Sequence, residues 1–332
     1  MKIAICGAGL VGSYLYRFLN QTGIKQVTIF DNQRPYQTKC HISPCAWVTS
    51  VGFEELIEEV GLDPKRYILQ TFDQILMNEL KVSGVIKIID KPKLINDLLV
   101  GVNVIDSPVK INEYDRIIDA TGVARAYLPE INNDIIASCI QYRVYSNEPI
   151  QCRIHISNVG YTWCFPLSDN EHHIGAGSIV IPPDQMLRKS GWLKNYNSIC
   201  SCTSTIRFTS PYYSLPFVEA VTDNNHCQVW GVGEAIGCVS PLSGEGIIPG
   251  LKSARLLLNN WEDAVAYQNE ILTEFGWMKK ERSVVDKSVQ GKRIGLIDAQ
   301  ILKNNTKRLG MNFKLNQALR LLRSLTQLDK SI

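Results

Sequence analysis

Residues 2–31 read KIAICGAGLVGSYLYRFLNQTGIKQVTIFD. A short apolar run, 3–6, meets Gly7, Gly9 and Gly12; a helical pattern follows, and a second apolar run, 27–30, ends in Asp31. Strand, glycine turn, helix and strand in that order make the βαβ unit that binds dinucleotides. Each glycine has its own mechanical role: Gly7 permits the tight turn, Gly9 lets a diphosphate approach the backbone, and Gly12 lets helix and strand pack closely. The diphosphate then rests on the helix start at Leu10 and Val11, where free N–H groups and the positive end of the helix dipole stabilise an anion. Asp31 follows Gly12 by 19 residues, close to the ~20-residue spacing at which an acid accepts from the ribose hydroxyls, and its charge disfavours a 2′-phosphate. The competing reading is a glycine turn in an ordinary α/β protein.

With 332 residues the chain can bury a sizeable core and is expected to hold two interleaved domains. Charged residues make up 20% and the net charge is +3, which gives no argument for nucleic acid. The first apolar run is too short for a signal peptide, and no stretch reaches the ~18–20 apolar residues that cross a bilayer, so a soluble, cytoplasmic protein is expected. Ten cysteines include no CxxC pair. No metal site is expected, and most of them should be small buried hydrophobes, with disulfides open if the source is a hyperthermophile.

Past Asp31, the loop NQRPYQTKCHISPCAWVTS is long for a βα connection, and loops of that length often carry function. The pattern predicts a short acidic helix over 53–62 closed by Gly61, two or three antiparallel strands over 67–90, a helix opening at Pro92, and strands in GVNVID and DRIIDATG. From about 135 the runs alternate, IIASCIQYRVYS, IQCRIHISNV, GYTWCFPLS and HHIGAGSIVI, as in an antiparallel sheet. A short helix is expected within 182–198, a further strand in STIRFTSPYYSL, a buried strand over 227–232, and a helix from about Gly246. Residues 261–332 are helical in pattern with a break at Gly310.

Four stretches together resemble the geranylgeranyl reductase family: the turn at 7–12, Ala120-Thr121-Gly122 at a strand end, YTWCFP at 161–166, and GVGEAIGCVSPLSGEGI at 231–247. Members are FAD enzymes of the p-hydroxybenzoate-hydroxylase-like fold that saturate isoprenoid chains in lipid biosynthesis. The resemblance implies an α/β architecture: a Rossmann-like FAD-binding domain (1–134 and 226–260, with 51–83 partly in the substrate layer), an inserted antiparallel β-sheet substrate domain (135–225), and a helical C-terminal part (261–332). By matching position, Gly233 and Glu234 stand in the family's Gly-Asp-Ala motif, Lys91 replaces an arginine before a helix, and Ala120 lies by the adenine half. Pro241, Gly244, Gly246 and Ile247 match the segment whose backbone faces the isoalloxazine, where a helix N-terminus stabilises reduced flavin. Cys40 falls where the family has a flavin-proximal Cys-Gly pair, with His41 in place of the glycine.

On a strand, Tyr161, Trp163 and Phe165 share one face. They form either an aromatic wall beside flavin and an isoprenoid channel or plain core. Cys40 with Cys45 is open to a redox pair, a flavin-facing thiol or neither; Cys40, Tyr161 and Trp163 are the catalytic candidates. His172 and His173 are expected at a surface hairpin, the Gly175-Ala176-Gly177 run in a β-turn, and His155 and His226 in structural roles. A basic amphipathic helix over 313–328 could pack on the core or lie on an anionic membrane. With one dinucleotide fold only, electrons are expected from a ferredoxin-type carrier or transient NAD(P)H. The expected reaction is hydride transfer from FAD to a carbon–carbon double bond of an apolar substrate. A monooxygenase or halogenase on the same fold, and a flavin-binding protein without turnover, are the rivals.

Overall fold

The computed structural model describes residues 1–24, 26–32, 46–147, 150–157, 160–192, 196–220 and 227–324. The expected βαβ unit is formed by β1 (Ile3–Cys6), α1 (Leu10–Gln21) and β2 (Val27–Phe30), with β1 and β2 parallel. After β3 (Val48–Thr49), helix α2 (Phe53–Glu59) runs between Gly52 and Gly61, both left-handed at φ 91° and 69°. Strands β4 (Ile68–Met77) and β5 (Leu80–Ile89) form a hairpin whose turn residues, Asn78 and Glu79, are both left-handed. Asp90 caps α3 (Lys91–Leu98) by accepting from the Lys93 N–H, and Pro92 lies in the first turn, where its missing N–H costs nothing. There follow β6 (Val104–Ile105), β7 (Arg116–Asp119), β8 (Ile136–Tyr145), β9 (Arg153–Ser157), β10 (Gly160–Pro166), β11 (Glu171–Ser178), α4 (Pro183–Ser190), β12 (Asn197–Arg207), β13 (Val218–Ala220) and β14 (Gln228–Gly231). The chain ends in α5 (Ile247–Asn259), α6 (Ala264–Glu274), α7 (Gly276–Val289), α8 (Leu296–Thr306), β15 (Met311–Asn312) and α9 (Leu315–Ser324).

Two sheets result. The first has the order β13-β14-β7-β1-β2-β6 and is parallel except for β13. Its central strands β1 and β7 are buried along their whole length, as expected for a sheet covered on both faces. On one side α1 buries Tyr14, Leu15 and Leu19, each apolar side chain contributing about 1.5–3 kcal/mol. The second sheet has the order β12-β8-β11-β10-β9-β4-β5-β15, with β3 on β5; it is antiparallel except where β4 meets β9.

Several expectations are corrected here. The Gly175–Gly177 run lies inside β11, where Trp163 pairs with Gly175 and Tyr161 with Gly177. A Cβ at 175 would collide with the Trp163 indole. The glycines are therefore slots for aromatic rings on the neighbouring strand, and no turn is involved. Likewise His172 and His173 are buried, because β11 is an interior strand between β10 and β8. His173 meets Trp47 edge to face at 4.5 Å, and burial pushes its imidazole down to about 3. Helix α4 stops at Ser190 before left-handed Gly191, and β12 starts at Asn197 and ends at Arg207, so FTSPYYSL lies outside the strand. After the break at Gly310, Met311 and Asn312 add a short strand to β5. Along α9, Ala318, Leu321 and Leu322 are buried: its apolar stripe packs on the protein's own core.

Among the described residues seven cysteines are buried thiols (Cys6, Cys139, Cys152, Cys164, Cys202, Cys227 and Cys238) and Cys200 is disulfide-bonded. Cys40, His41, Cys45 and His226 lie outside the described residues. Among the described residues no helix is long and apolar enough to cross a membrane.

Candidate functional site

The three glycines of the first turn differ in what surrounds them. Gly7 is left-handed at φ 105°, and a Cβ there would strike the Ala120 carbonyl; one at Gly12 would strike the Gly7 carbonyl. Around Gly9, in contrast, a Cβ would meet no atom within 4 Å among the described residues. The turn is thus closed against the protein at both ends and open in the middle. Helix α1 starts at Gly9 with no side-chain cap among the described residues, so its first N–H groups face outward as an anion site does. Asp31, buried at the end of β2, accepts from the Ala8 N–H at 3.2 Å. At the end of β7, Asp119 accepts from Thr121 N (3.0 Å), Thr121 Oγ1 (2.6 Å) and Tyr127 N (2.9 Å). These bonds fold Ala120-Thr121-Gly122 back beside the glycine turn.

A single cavity of about 1710 Å³ begins here and reaches the C-terminal helices. Its wall includes most of the site residues expected from sequence: Gly7, Gly9, Leu10, Val11, Asp31, Lys91, Ala120, Thr121, Gly122, Glu234, Gly244, Gly246 and Ile247, with Tyr161, Trp163 and Phe165. Gly12, Gly233 and Pro241 stand behind the wall. Left-handed Gly233 leaves room for Val11, which a Cβ would approach at 3.2 Å. At the far end the lining is mostly apolar and comes from β4, β9, α8 and α9, with Ile75, Met77, Ile154, Ile156, Leu302 and Leu321 beside Thr306.

Side chains from remote segments fix the middle of the cavity. Glu234 Oε1 accepts from the Arg207 N–H at 2.7 Å; burial raises its carboxyl pKa, while the Arg207 bond and charge oppose the rise. The Arg207 guanidinium donates to the Val123 (2.8 Å) and Glu234 (3.1 Å) carbonyls and pairs with Asp134 at 3.0 Å. It ties β12 of the second sheet to both loops of the first. Trp163 Nε1 donates to Gln141 Oε1 at 3.2 Å, and the Tyr161 and Trp163 rings lie 5.5 Å apart. The Tyr161 hydroxyl touches Gly244, where a Cβ would come within 2.6 Å of it.

Four wall residues had no assigned role in the sequence. Glu245 Oε1 accepts from the Ile248 N–H at 3.0 Å, whereas Oε2 is buried with no hydrogen-bond partner among the described residues. Burial pushes this carboxyl up to about 7. Glu281, on α7, accepts from Ser240 Oγ at 2.7 Å and is also pushed up to about 7 by burial. The hydroxyls of Thr49 and Ser50 are buried without partners among the described residues. Glu245 stood inside a motif noted for its backbone, and Ser50 two residues before a turn glycine; Glu281 has no local sequence signal.

No family model matches the chain. An uncharacterized protein of Methanocaldococcus jannaschii is 27% identical over 345 residues, covering 86% of this chain and 91% of that protein. Among solved structures, a geranylgeranyl bacteriochlorophyll reductase-like protein from Thermoplasma acidophilum superposes with a TM-score of 0.68 at 18% identity, covering 98% of both chains. The fold is one shared with FAD-dependent enzymes. A probable FAD-dependent monooxygenase from Pseudomonas aeruginosa also has it, with a TM-score of 0.60 at 14% identity over 91% of this chain and 99% of that one. The resemblance read from the four sequence stretches therefore holds at the level of fold.

Proposed function

We propose that this protein is an FAD-dependent oxidoreductase that saturates a carbon–carbon double bond in an apolar, isoprenoid-like substrate. The observation that carries the reading is the continuity of one cavity, from an open glycine turn, past an aromatic wall, to an apolar end. Its entrance fits an adenine dinucleotide: among the described residues nothing crowds the backbone at Gly9 and no side chain caps the α1 N-terminus, and Asp31 lies beside the turn. The hydroxyls of Thr49 and Ser50 and Oε2 of Glu245, which have no partner among the described residues, are buried polar atoms on the wall that a bound cofactor would satisfy. Reduced flavin supplies the hydride. Gly7–Gly12, Asp31 and Ala120–Gly122 hold the nucleotide end, while Lys91, Glu234 and the 241–247 turn hold the ring end. Tyr161, Trp163 and Phe165 orient the substrate and keep water out, which favours hydride transfer over side reactions. The accompanying proton is held at Glu245 Oε2 or at the Tyr161 hydroxyl, both on the wall.

The test begins with colour. Purified protein given FAD should bind it and show a bound-flavin spectrum. After anaerobic reduction by ferredoxin or NAD(P)H it should reoxidise on addition of a geranylgeranyl lipid, whose product gains two hydrogens per bond. A colourless protein that refuses FAD sinks the proposal. Oxygen-dependent turnover to a hydroxylated product would place the chain with the monooxygenase that shares its fold.

A further inference from the structure

The segment joining α7 to α8 presents apolar side chains to solvent in an unusual setting. Val289, Leu296 and Ile297 are 52%, 62% and 76% exposed, and between them stand the exposed cations Lys292 and Arg293. From 287 to 297 there is no acidic residue, and the next one, Asp298, is buried and paired with Lys287 at 2.6 Å. Over 287–324 nine Lys or Arg face that single acid. Nor is this a loose loop. Ile294 is anchored in the core, Lys292 N donates to the Lys287 carbonyl at 2.8 Å, and Asp298 Oδ2 accepts from Gly295 N at 2.9 Å. A rigid turn that holds two large aliphatic side chains in water beside two cations has the composition of a surface that inserts into a lipid headgroup layer.

We propose that residues 289–297 dock the protein on an anionic lipid bilayer, with Leu296 and Ile297 entering the headgroup layer and Lys292 and Arg293 pairing with lipid phosphates. Charge complementarity selects this occupant: each cation near an anionic leaflet adds attraction that salt screens, and no acidic side chain of the segment opposes it. The basic helix α9, which the sequence left open to the core or to a membrane, spends its apolar stripe on the core. The 289–297 turn keeps its own outside. Helix α8 links the turn to the cavity, since it begins with Leu296 and Ile297 and lines the far end with Leu302 and Thr306.

The test is flotation of the full chain with vesicles of phosphatidylcholine alone or mixed with phosphatidylglycerol. Binding should require phosphatidylglycerol and weaken with salt. Leu296→Asp/Ile297→Asp and Lys292→Glu/Arg293→Glu should each lower it by about tenfold or more, because each removes one of the two contributions. None of these residues lies on the cavity wall, so folding and FAD uptake should be unchanged in both variants. Equal flotation of wild type and both variants, or no binding to either vesicle, overturns the proposal. So does a concentration-dependent dimer that the aspartate variant abolishes without any vesicle binding, which would give the face to a second copy. The assay needs neither cofactor nor turnover, so its failure and failure of the oxidoreductase reading are told apart.

Discussion

At the amino-terminal turn, Gly7 and Gly12 leave no space for a methyl group against neighbouring carbonyls, while Gly9 between them faces open space. At the 240–247 turn the backbone is supported by side chains: Ser240 donates to Glu281 from α7, and Glu245 reaches forward to cap α5. Both turns border one cavity. The first is built by excluding atoms and the second by burying carboxyl groups. Excluded volume admits one residue type at each position, whereas a buried carboxyl can come from any helix that passes nearby.

The largest effect that can break this contrast is at Gly12. Gly12→Ala places a Cβ against the Gly7 carbonyl, and since the carbonyl is backbone and a Cβ is fixed rigidly to its own backbone, neither yields without moving β1 or α1. We expect a loss of about 3 kcal/mol or more in denaturant unfolding, together with loss of FAD uptake. Gly9→Ala should cost only about 1 kcal/mol or less in stability yet still weaken FAD uptake, because its Cβ enters the space left for a diphosphate. Equal stabilities for the two variants would falsify the excluded-volume account.

That asymmetry also explains how much was legible in the sequence. The βαβ unit, Asp31, the strand ending in Ala120-Thr121-Gly122 and the aromatic face of β10 were visible because fixed spacing and period carry them. The buried state of His172 and His173 was hidden, because hydropathy does not reveal that a polar pair lies on an interior strand. Gly175 and Gly177 read as a turn in the sequence because their partner, the aromatic row of β10, lies across a hairpin and acts only through register. Glu281 carries no sequence signal: it is 41 residues from Ser240, and helical periodicity places a glutamate there as an ordinary surface residue.

A smaller effect sharpens the other half of the contrast. Glu281 is pushed up to about 7 in the folded protein, above the ~4.3 of an unfolded glutamate. Between those values the native state holds a proton that the unfolded chain has released, so stability is fully present below about pH 4 and falls as pH rises to about 7. Each unit of difference is about 1.4 kcal/mol, so the loss across that window is up to about 4 kcal/mol. Glu281→Gln cannot ionise and keeps a polar group near Ser240. Its unfolding free energy should decline less between pH 4 and 7 than the wild type's. Parallel curves for the two proteins would mean that Glu281 stays ionised and that the turn is not held by a protonated carboxyl.

The smallest effect is the most discriminating, because it should change sign with the cofactor. Thr49 Oγ1 is buried on the cavity wall without a partner among the described residues, and Ser50 Oγ beside it is in the same state. An unsatisfied buried hydroxyl costs about 1–3 kcal/mol, and replacing it by an apolar group of the same shape removes that cost. Thr49→Val keeps the branched shape and the β-strand preference of a residue that pairs with Lys87 in β5. Without FAD the variant should therefore unfold about 1 kcal/mol later than wild type. With FAD the order should reverse, since wild type regains a hydrogen bond that valine cannot make, and ligand stabilisation follows affinity. If valine proves stabilising under both conditions, Thr49 is a packing defect and the cofactor does not reach it. If it is destabilising under both, the hydroxyl has a partner in the free protein, and the cavity is built to hold itself together rather than a ligand.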